Sequence, residues 1–468
     1  VDILQRIADL EMHPERRSRY LYTMAQLYRD KLGDQVRAVE LFNEALALAE
    51  EVDDVATVAR VMGAMARPFV VLDRVREHHD RMRQTLDRVG SRLDEPTRVR
   101  LILAVVTSSI HLGRSEESLP LIDEALAIIE RDRLDDVLAD AIGQKSWALS
   151  NVGRHREAAI LMHGALELSE EHGSMEFRAE ALMAMGIVEM EDDPRASLRY
   201  SLEAADAARR AGVRGLEILG MANAAEAAVD TGDWGTADGL LEDLLGRPEL
   251  SGLTRLGSLM GVALLAAHRG EHQSARSTLE ETKMTGLETD MTAARTWFHR
   301  TRATVLLLGG ELEQAFEAGM DAIREDPAGM NTPMSSWSSA RAALWLKDPE
   351  RVRSALGAMD PLRGRWIDVA RRTVEAGLAA LEGRLDDAAA AYADCLDAWT
   401  ALDLPLDRAM TVVDAALLLP SELRPLDENE RTIEYLRGLG ARALLDRLES
   451  VEAAGPLTPS TGSPTTAA

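Results

Sequence analysis

The residues that could do chemistry are few in this sequence, and their spacing matches no catalytic pattern. A phosphate-binding loop needs a glycine-rich stretch that ends in Gly-Lys. The chain contains no Gly-Lys pair, and Lys145-Ser146 follows Gln144 instead. The Gly-x-Ser-x-Gly turn that exposes a nucleophilic serine is also absent from the sequence. The single cysteine, Cys395, shares a helix face with Tyr392, which favours a core position. We therefore predict that the chain is not an enzyme and uses no cofactor.

Histidine spacing offers two possible pairs of metal ligands. His268 and His272 are four residues apart, but they bracket a turn at Gly270. His155 and His163 are eight residues apart, about two helical turns. Zinc sites usually need more ligands than a histidine pair, and no cysteine lies near either pair. We predict no metal site and interpret these histidines as turn residues exposed to solvent.

The segment Met330–Ser339, MNTPMSSWSS, is unusual in its composition. One interpretation is a long turn that enters a helix capped by Ser335 or Ser336, because serine is a good N-cap residue. The alternative is an exposed lip that presents Met334 and Trp337 to a partner.

The elements that must position any site are indicated by a repeated motif. A small or turn-forming residue, often glycine, is followed five residues later by alanine and then by an apolar residue four further on. The clearest copies pair Gly33 with Ala38, Gly153 with Ala158, Gly232 with Ala237, Gly270 with Ala275, Gly310 with Ala315 and Gly383 with Ala388, and Gly113 begins a copy with Ser118. Such turns fall near 33, 73, 113, 153, 191, 232, 270, 310, 347 and 383. The period is therefore about 40 residues, enough for two helices and two short turns.

The motif has a simple physical reading. Glycine provides the backbone freedom that ends one helix and turns the chain. Alanine marks the point where two helices cross closely, and later apolar residues return to the same helix face. Because no alternating run is long enough for a strand, we predict an all-α chain with more than about 65% helix.

The Gly, Ala and apolar positions resemble the second-helix signature of tetratricopeptide repeats, with each unit about six residues longer than the usual 34. The closing segments Ala398–Leu418 and Ile433–Leu448 are similar to the C-terminal repeat region of bacterial LuxR-type ATPase regulators and multidomain nucleotide cyclases. The resemblance implies a right-handed superhelical solenoid of about ten helix-turn-helix repeats. It also implies a concave groove lined by the first helix of each repeat.

Counting back from each turn by the family spacing places several arginines and two tryptophans in that groove. They are Arg60, Arg67, Arg100, Arg178, Arg300, Trp147 and Trp297. A groove lined by arginines would suit carboxylates or phosphates. The alternative is that arginine is only the common polar surface residue of this chain.

We therefore expect a non-catalytic scaffold or adaptor that binds a protein or peptide, possibly acidic, in its groove. The alternative is a ligand-sensing regulatory region of a bacterial signalling ATPase, transcription regulator or nucleotide cyclase whose catalytic module is absent from this chain. Val1 stands where methionine would be expected, so the sequence immediately upstream would distinguish the two hypotheses.

Charge and composition restrict the partners and the compartment. The net charge of −26 argues against direct binding to nucleic acid or an anionic membrane, because phosphates attract Lys and Arg. No apolar run approaches a membrane span, and a single cysteine fits a reducing, cytoplasmic compartment. We expect the repeats to fill residues 1–454 and a Pro/Ser/Thr-rich tail, 455–468, to be disordered. The oligomeric state is left open.

Overall fold

Helices begin and end where the repeat motif predicts. The computed structural model describes residues 1–171, 175–190, 192–424 and 426–453, so the expected tail at 455–468 and the turn at Glu191 lie outside the described residues. The helices are α1 (Asp2–Leu10), α2 (Pro14–Leu27), α3 (Gln35–Glu51), α4 (Val55–Ala64), α5 (Ala66–Val71), α6 (Val75–Val89), α7 (Glu95–His111), α8 (Ser115–Asp132), α9 (Asp135–Asn151), α10 (His155–Glu171), α11 (Met175–Glu189), α12 (Pro194–Ala211), α13 (Arg214–Thr231), α14 (Trp234–Leu245), α15 (Gly252–His268), α16 (His272–Leu287), α17 (Thr292–Leu308), α18 (Leu312–Glu325), α19 (Thr332–Leu346), α20 (Pro349–Met359), α21 (Arg365–Leu381), α22 (Leu385–Ala401), α23 (Pro405–Leu418), α24 (Leu426–Leu439) and α25 (Arg442–Ala453). A π-helical turn, Tyr28–Leu32, extends α2. Short 3-10 turns occupy Gly90–Arg92 and Ser421–Leu423. The described residues contain no strand.

The turns within repeats use left-handed backbone conformations. Positive φ angles occur at Gly33, Gly113, Gly153, Gly232, Gly270, Gly310 and Gly383, and also at Asp73 and Lys347. Aspartates cap some of the following helices: the Asp34 side chain accepts a hydrogen bond from the Arg37 backbone N–H, and Asp233 accepts one from the Thr236 backbone N–H. Left-handed turns followed by capped helices explain the even spacing of the motif.

The motif alanines lie at the contact between the two helices of each repeat. Ala38, Ala158, Ala237, Ala275, Ala315 and Ala388 are all fully buried, each with 0% of its surface exposed. Such positions leave no room for a larger side chain because the core is closely packed.

Each helix packs against the next one along the chain, which gives an all-α solenoid of TPR-like helix pairs and confirms the predicted fold class. The first helices of neighbouring repeats also contact each other: α7 packs on α9, α9 on α11, α13 on α15 and α15 on α17. The first helices therefore form an inner layer and the second helices an outer layer.

The inner layer winds tightly enough for repeats far apart in sequence to touch. Lys31 Nζ donates a hydrogen bond of 3.0 Å to the Ala211 carbonyl oxygen, 180 residues along the chain. Arg76 Nε lies 2.9 Å from Asp290 Oδ1, a separation of 214 residues. The Arg365 backbone N–H donates to Asp192 over 2.8 Å, 173 residues away. Since a repeat spans about 40 residues, the superhelix returns on itself after about five repeats. We call the line of these contacts the coil seam.

Two expectations for individual residues are corrected by the fold. The Met330–Ser339 segment is not an exposed lip, because Trp337 is only 3% exposed and Ser335 and Ser336 are completely buried. The helix here begins at Thr332 with Asn331 at its N-cap, before either serine. His268 is not a solvent-exposed turn residue either, since it is buried against the Trp234 ring, 5.1 Å between centroids.

Candidate functional site

A cavity of about 520 Å³ lies inside the superhelix, and we call it the central cavity. Seven consecutive repeats contribute to its wall through their first helices, from α5 through α7, α9, α11, α13 and α15 to α17. Because α5 also contacts α15, the concave surface curves around this space.

The predicted groove residues divide into two groups. Arg67, Arg100, Trp147 and Trp297 line the central cavity. Arg60, Arg178 and Arg300 do not line it. Arg60 donates to Ala56 and Thr57 of its own helix, Arg178 pairs with Glu170, and Arg300 is 3% exposed.

The arginines that reach the cavity are neutralised by carboxylates of the same chain. Arg29, in the π-helical turn, donates two hydrogen bonds to Asp30, 2.6 Å from Nε and 2.7 Å from Nη2. Arg67 bonds to Glu180 and lies 3.8 Å from Asp30. The central cavity therefore lacks the excess of positive charge that the sequence pattern suggested.

Two further carboxylates give the wall its acidic character. Asp140 on α9 accepts a 3.0 Å hydrogen bond from Gln144 Nε2. Burial raises the pKa of Asp140, and Gln144 and Arg67 oppose the rise. Burial raises the pKa of Glu180 to about 7; Arg67 opposes this shift and the negative charge of Asp140 adds to it. The Glu180 side chain lines the cavity and keeps 31% of its surface exposed.

The opposite wall carries a second set of buried charges. Arg300 on α17 bonds to Glu226 and Asp230 of α13. Burial raises the pKa of Glu226, while Arg300 and a hydrogen bond with Trp297 oppose that rise. Glu226 lines the cavity, so this wall also presents a carboxylate next to an aromatic ring.

Sequence reasoning missed Asp140, Glu180 and Glu226, although a signal was present. Asp140, Gln144 and Trp147 are spaced by four and three residues and thus share one face of α9. All three line the central cavity. Glu180 lies 40 residues after Asp140, one repeat further on, where the same helix face recurs. Within the described residues, no cluster of three or more His, Cys, Asp or Glu side chains could hold a metal ion.

The comparisons with known proteins add a partial sequence match. The family model for anaphase-promoting complex subunit 5 matches residues 1–67 and 256–298, which is less than half of the chain. No protein of curated function matches the sequence. The fold is similar to the crystal structure of yeast Tom70, with 13% sequence identity and a TM-score of 0.35 over 94% of this chain and 96% of the Tom70 chain. The closer resemblance to LuxR-type regulators and nucleotide cyclases stays a prediction.

In the described part of the chain, no helix has both the length and the apolar character needed to cross a bilayer.

Proposed function

We propose that this protein is a non-catalytic interaction scaffold that receives a short segment of a protein partner in its central cavity. The carrying observation is that seven consecutive repeats combine to form one cavity of about 520 Å³. This volume lies within the range of roughly 300–1,000 Å³ that is typical of ligand sites. An array whose repeats converge on one space is suited to binding at that space.

The lining suits a peptide because it combines apolar surface with amide side chains. Gln144 and Asn223 line the cavity among Leu216, Leu219 and Met183. An amide group can donate and accept hydrogen bonds, so it can pair with the N–H and C=O groups of a peptide backbone. The coil seam limits the length of the occupant, because contacts across five repeats prevent an extended chain from lying along the whole inner layer.

The proposal is tested by filling the cavity. Gly143 lines the central cavity, and a Cβ built at this residue meets no atom within 4 Å. Gly143→Phe should therefore fit without a backbone shift and occupy part of the space. Gly239→Phe is the matched control, because Gly239 lies exposed in the middle of α14 and is equally uncrowded.

Short peptides would be selected from a random displayed library on the wild-type protein and measured by calorimetry on both variants. We expect binding to be lost in Gly143→Phe and retained in Gly239→Phe, with both variants as helical as the parent. Gly143→Leu, with a smaller side chain, should weaken binding partially. Selected peptides that bind Gly143→Phe as tightly as the wild type, or failure to select any, would refute the proposal.

A further inference from the structure

We propose that the central cavity recognises a positively charged nitrogen, and that its occupant is a peptide segment whose Lys or Arg side chain lies against Asp140. This inference rests on the proposed function, because it names the chemistry of the ligand for the same cavity. It reverses the acidic ligand that the sequence pattern favoured.

The first argument is that the arginines of the cavity already have anionic partners. Arg29 is bound by Asp30 in a two-bond arrangement, and Arg67 by Glu180 and Asp30. Arg100, which lines the cavity and has 54% of its side chain exposed, bonds to Asp136. An acidic ligand would have to displace these carboxylates and leave them unpaired in a partly desolvated space, which is costly.

The second argument is that Asp140 differs from its neighbours. Within the described residues, no Lys, Arg or His nitrogen lies within 4.0 Å of its carboxylate, and its one hydrogen bond comes from the neutral Gln144. Around it, three arginines (Arg29, Arg67 and Arg100) face the five carboxylates of Asp30, Asp136, Asp140, Glu176 and Glu180. This wall therefore has an excess of negative charge that a ligand cation would balance.

The third argument is the chemistry beside Asp140 on α9. Gln144 Nε2 is occupied by Asp140, but Gln144 Oε1 is buried and has no hydrogen-bond partner among the described residues. An ammonium or guanidinium group carries several donors, so it could bind the Asp140 carboxylate and also Gln144 Oε1, once the Gln144 amide turns this buried oxygen toward the cavity. The Trp147 ring also lines the cavity and offers aromatic surface to the cation and its methylene chain.

The pH dependence of binding follows from Glu180. Its pKa of about 7 means that the carboxyl is largely protonated at about pH 6 and largely ionised at about pH 8. A cationic occupant favours the ionised form, so its affinity should rise over this range. An anionic occupant would prefer the protonated form and show the opposite trend.

The experiment uses the peptides selected on the wild-type protein and compares Asp140→Asn with Asp123→Asn. Asp140→Asn keeps the side-chain shape and removes the charge. Asp123→Asn removes the same charge from the outer helix α8, where Asp123 pairs with Lys145 and is 61% exposed. We expect the selected peptides to be enriched in Lys or Arg. Asp140→Asn should weaken them by about tenfold or more, and Asp123→Asn by less than about threefold.

The outcomes separate this inference from the proposed function. Suppose that the selected peptides bind the wild type and do not bind Gly143→Phe, but carry only acidic or uncharged residues. This result would contradict the inference and leave the proposed function supported. Equal affinity for Asp140→Asn and wild type, or an affinity that does not rise between about pH 6 and pH 8, would also overturn it. Peptides that bind Gly143→Phe as tightly as the wild type, or a selection that yields no peptide, would contradict both this inference and the proposed function.

One further measurement distinguishes recognition of a peptide segment from recognition of a free cation. N-acetylarginine amide carries the same guanidinium without neighbouring residues. We expect it to compete with the selected peptides at least about a hundredfold more weakly, because it lacks the backbone and apolar contacts. Competition at equal concentration would locate recognition in a free cation and overturn the peptide as the occupant.

Discussion

The central cavity and the packed centre of the C-terminal repeats use the same residue types for different purposes. The second region, which we call the tryptophan core, contains Trp337, Trp366 and Trp399 with ring centroids 6.0 to 6.3 Å apart. Arg341 stacks over Trp337 at 3.8 Å and bonds to Asp414, and both charged side chains are only 1% exposed. In the central cavity, the corresponding arginines and carboxylates face open space.

The difference teaches that burial and packing, rather than residue type, separate a binding site from a structural network. In the tryptophan core, the Asp414 carboxylate accepts hydrogen bonds from Arg341 Nε at 2.9 Å and from Trp345 Nε1 at 2.6 Å. Partners from its own chain therefore surround it. Asp140 has one neutral partner and free space beside it. A ligand can add contacts only in the second case.

The largest expected effect comes from breaking the tryptophan core. Asp414→Ala should lower the free energy of unfolding by about 3–5 kcal/mol, because it leaves the Arg341 guanidinium buried without its partner. Urea denaturation monitored by circular dichroism measures the change.

Asp140→Ala is the comparison variant from the central cavity. It should change the free energy of unfolding by less than about 1 kcal/mol, since no cation loses its partner when this carboxylate is removed. Equal losses of unfolding free energy in Asp414→Ala and Asp140→Ala would contradict the claim that only the first carboxylate is part of a structural network.

The next effect is a pH dependence of the free energy of unfolding, which arises from Asp407 beside the tryptophan core. Burial raises the pKa of Asp407 to about 7 from an ordinary 3.8, and Arg341 opposes this shift. Because the folded protein binds this proton more tightly than the unfolded chain does, Asp407 lowers stability as pH rises from about 4 to 7. Asp407→Asn should therefore be more stable than wild type by about 2–4 kcal/mol near pH 8 and equal to it near pH 4. A difference that is independent of pH would contradict this assignment.

A substitution at the coil seam should destabilise the helices around the central cavity without affecting the tryptophan core. Gly252 has a φ of 52°, and a Cβ built on it would lie 1.7 Å from the Val71 carbonyl oxygen. Gly252→Ala should cost about 1–3 kcal/mol and speed amide hydrogen exchange in α5 and α15, while α19 and α23 stay protected.

Gly153→Ala is the control for backbone strain, because Gly153 has a φ of 80° but no crowding within 4 Å. It should cost about 1–2 kcal/mol without changing exchange in α5 or α15. If Gly153→Ala also speeds amide hydrogen exchange in α5 and α15, the faster exchange in Gly252→Ala comes from backbone strain and not from the lost contact across the coil seam.

The smallest effect is expected outside both regions. Arg178 pairs with Glu170 at a partly exposed site away from the cavity lining. Arg178→Ala should change stability by less than about 0.5 kcal/mol and leave peptide binding unchanged. A tenfold loss of peptide affinity in Arg178→Ala would instead show that Arg178 contributes to the binding site.

The repeats were predictable because local sterics decide them. A left-handed turn at Gly153 and a close crossing at Ala158 demand glycine and alanine at a fixed spacing, whatever the rest of the chain does. The inner layer of first helices was instead implied by the resemblance to tetratricopeptide repeats, and Trp147 and Trp297, placed by the family spacing, line the central cavity.

The charges of the site were harder to predict because they depend on the phase and winding of the superhelix. Arg67 reaches Glu180 across 113 residues, and the coil seam joins residues about five repeats apart. No periodic pattern reports such contacts. Burial of the Met330–Ser339 segment was also missed, since its two interpretations were a turn before a serine-capped helix and an exposed lip that presents Met334 and Trp337. In the structure, small side chains let helices approach closely, as where Ser339 packs against Gly319.

The most direct test of the central claim is the accessibility of the cavity to reagents of different size. The chain has one cysteine, Cys395, which is 1% exposed, so an introduced thiol can be followed alone. We predict that methyl methanethiosulfonate modifies both Gly143→Cys and Gly239→Cys. A polyethylene glycol maleimide of several kilodaltons should modify only Gly239→Cys, and a selected peptide should protect only Gly143→Cys from the small reagent. Equal modification of both variants by the large reagent, or no protection by peptide, would contradict a ligand-binding cavity inside the superhelix.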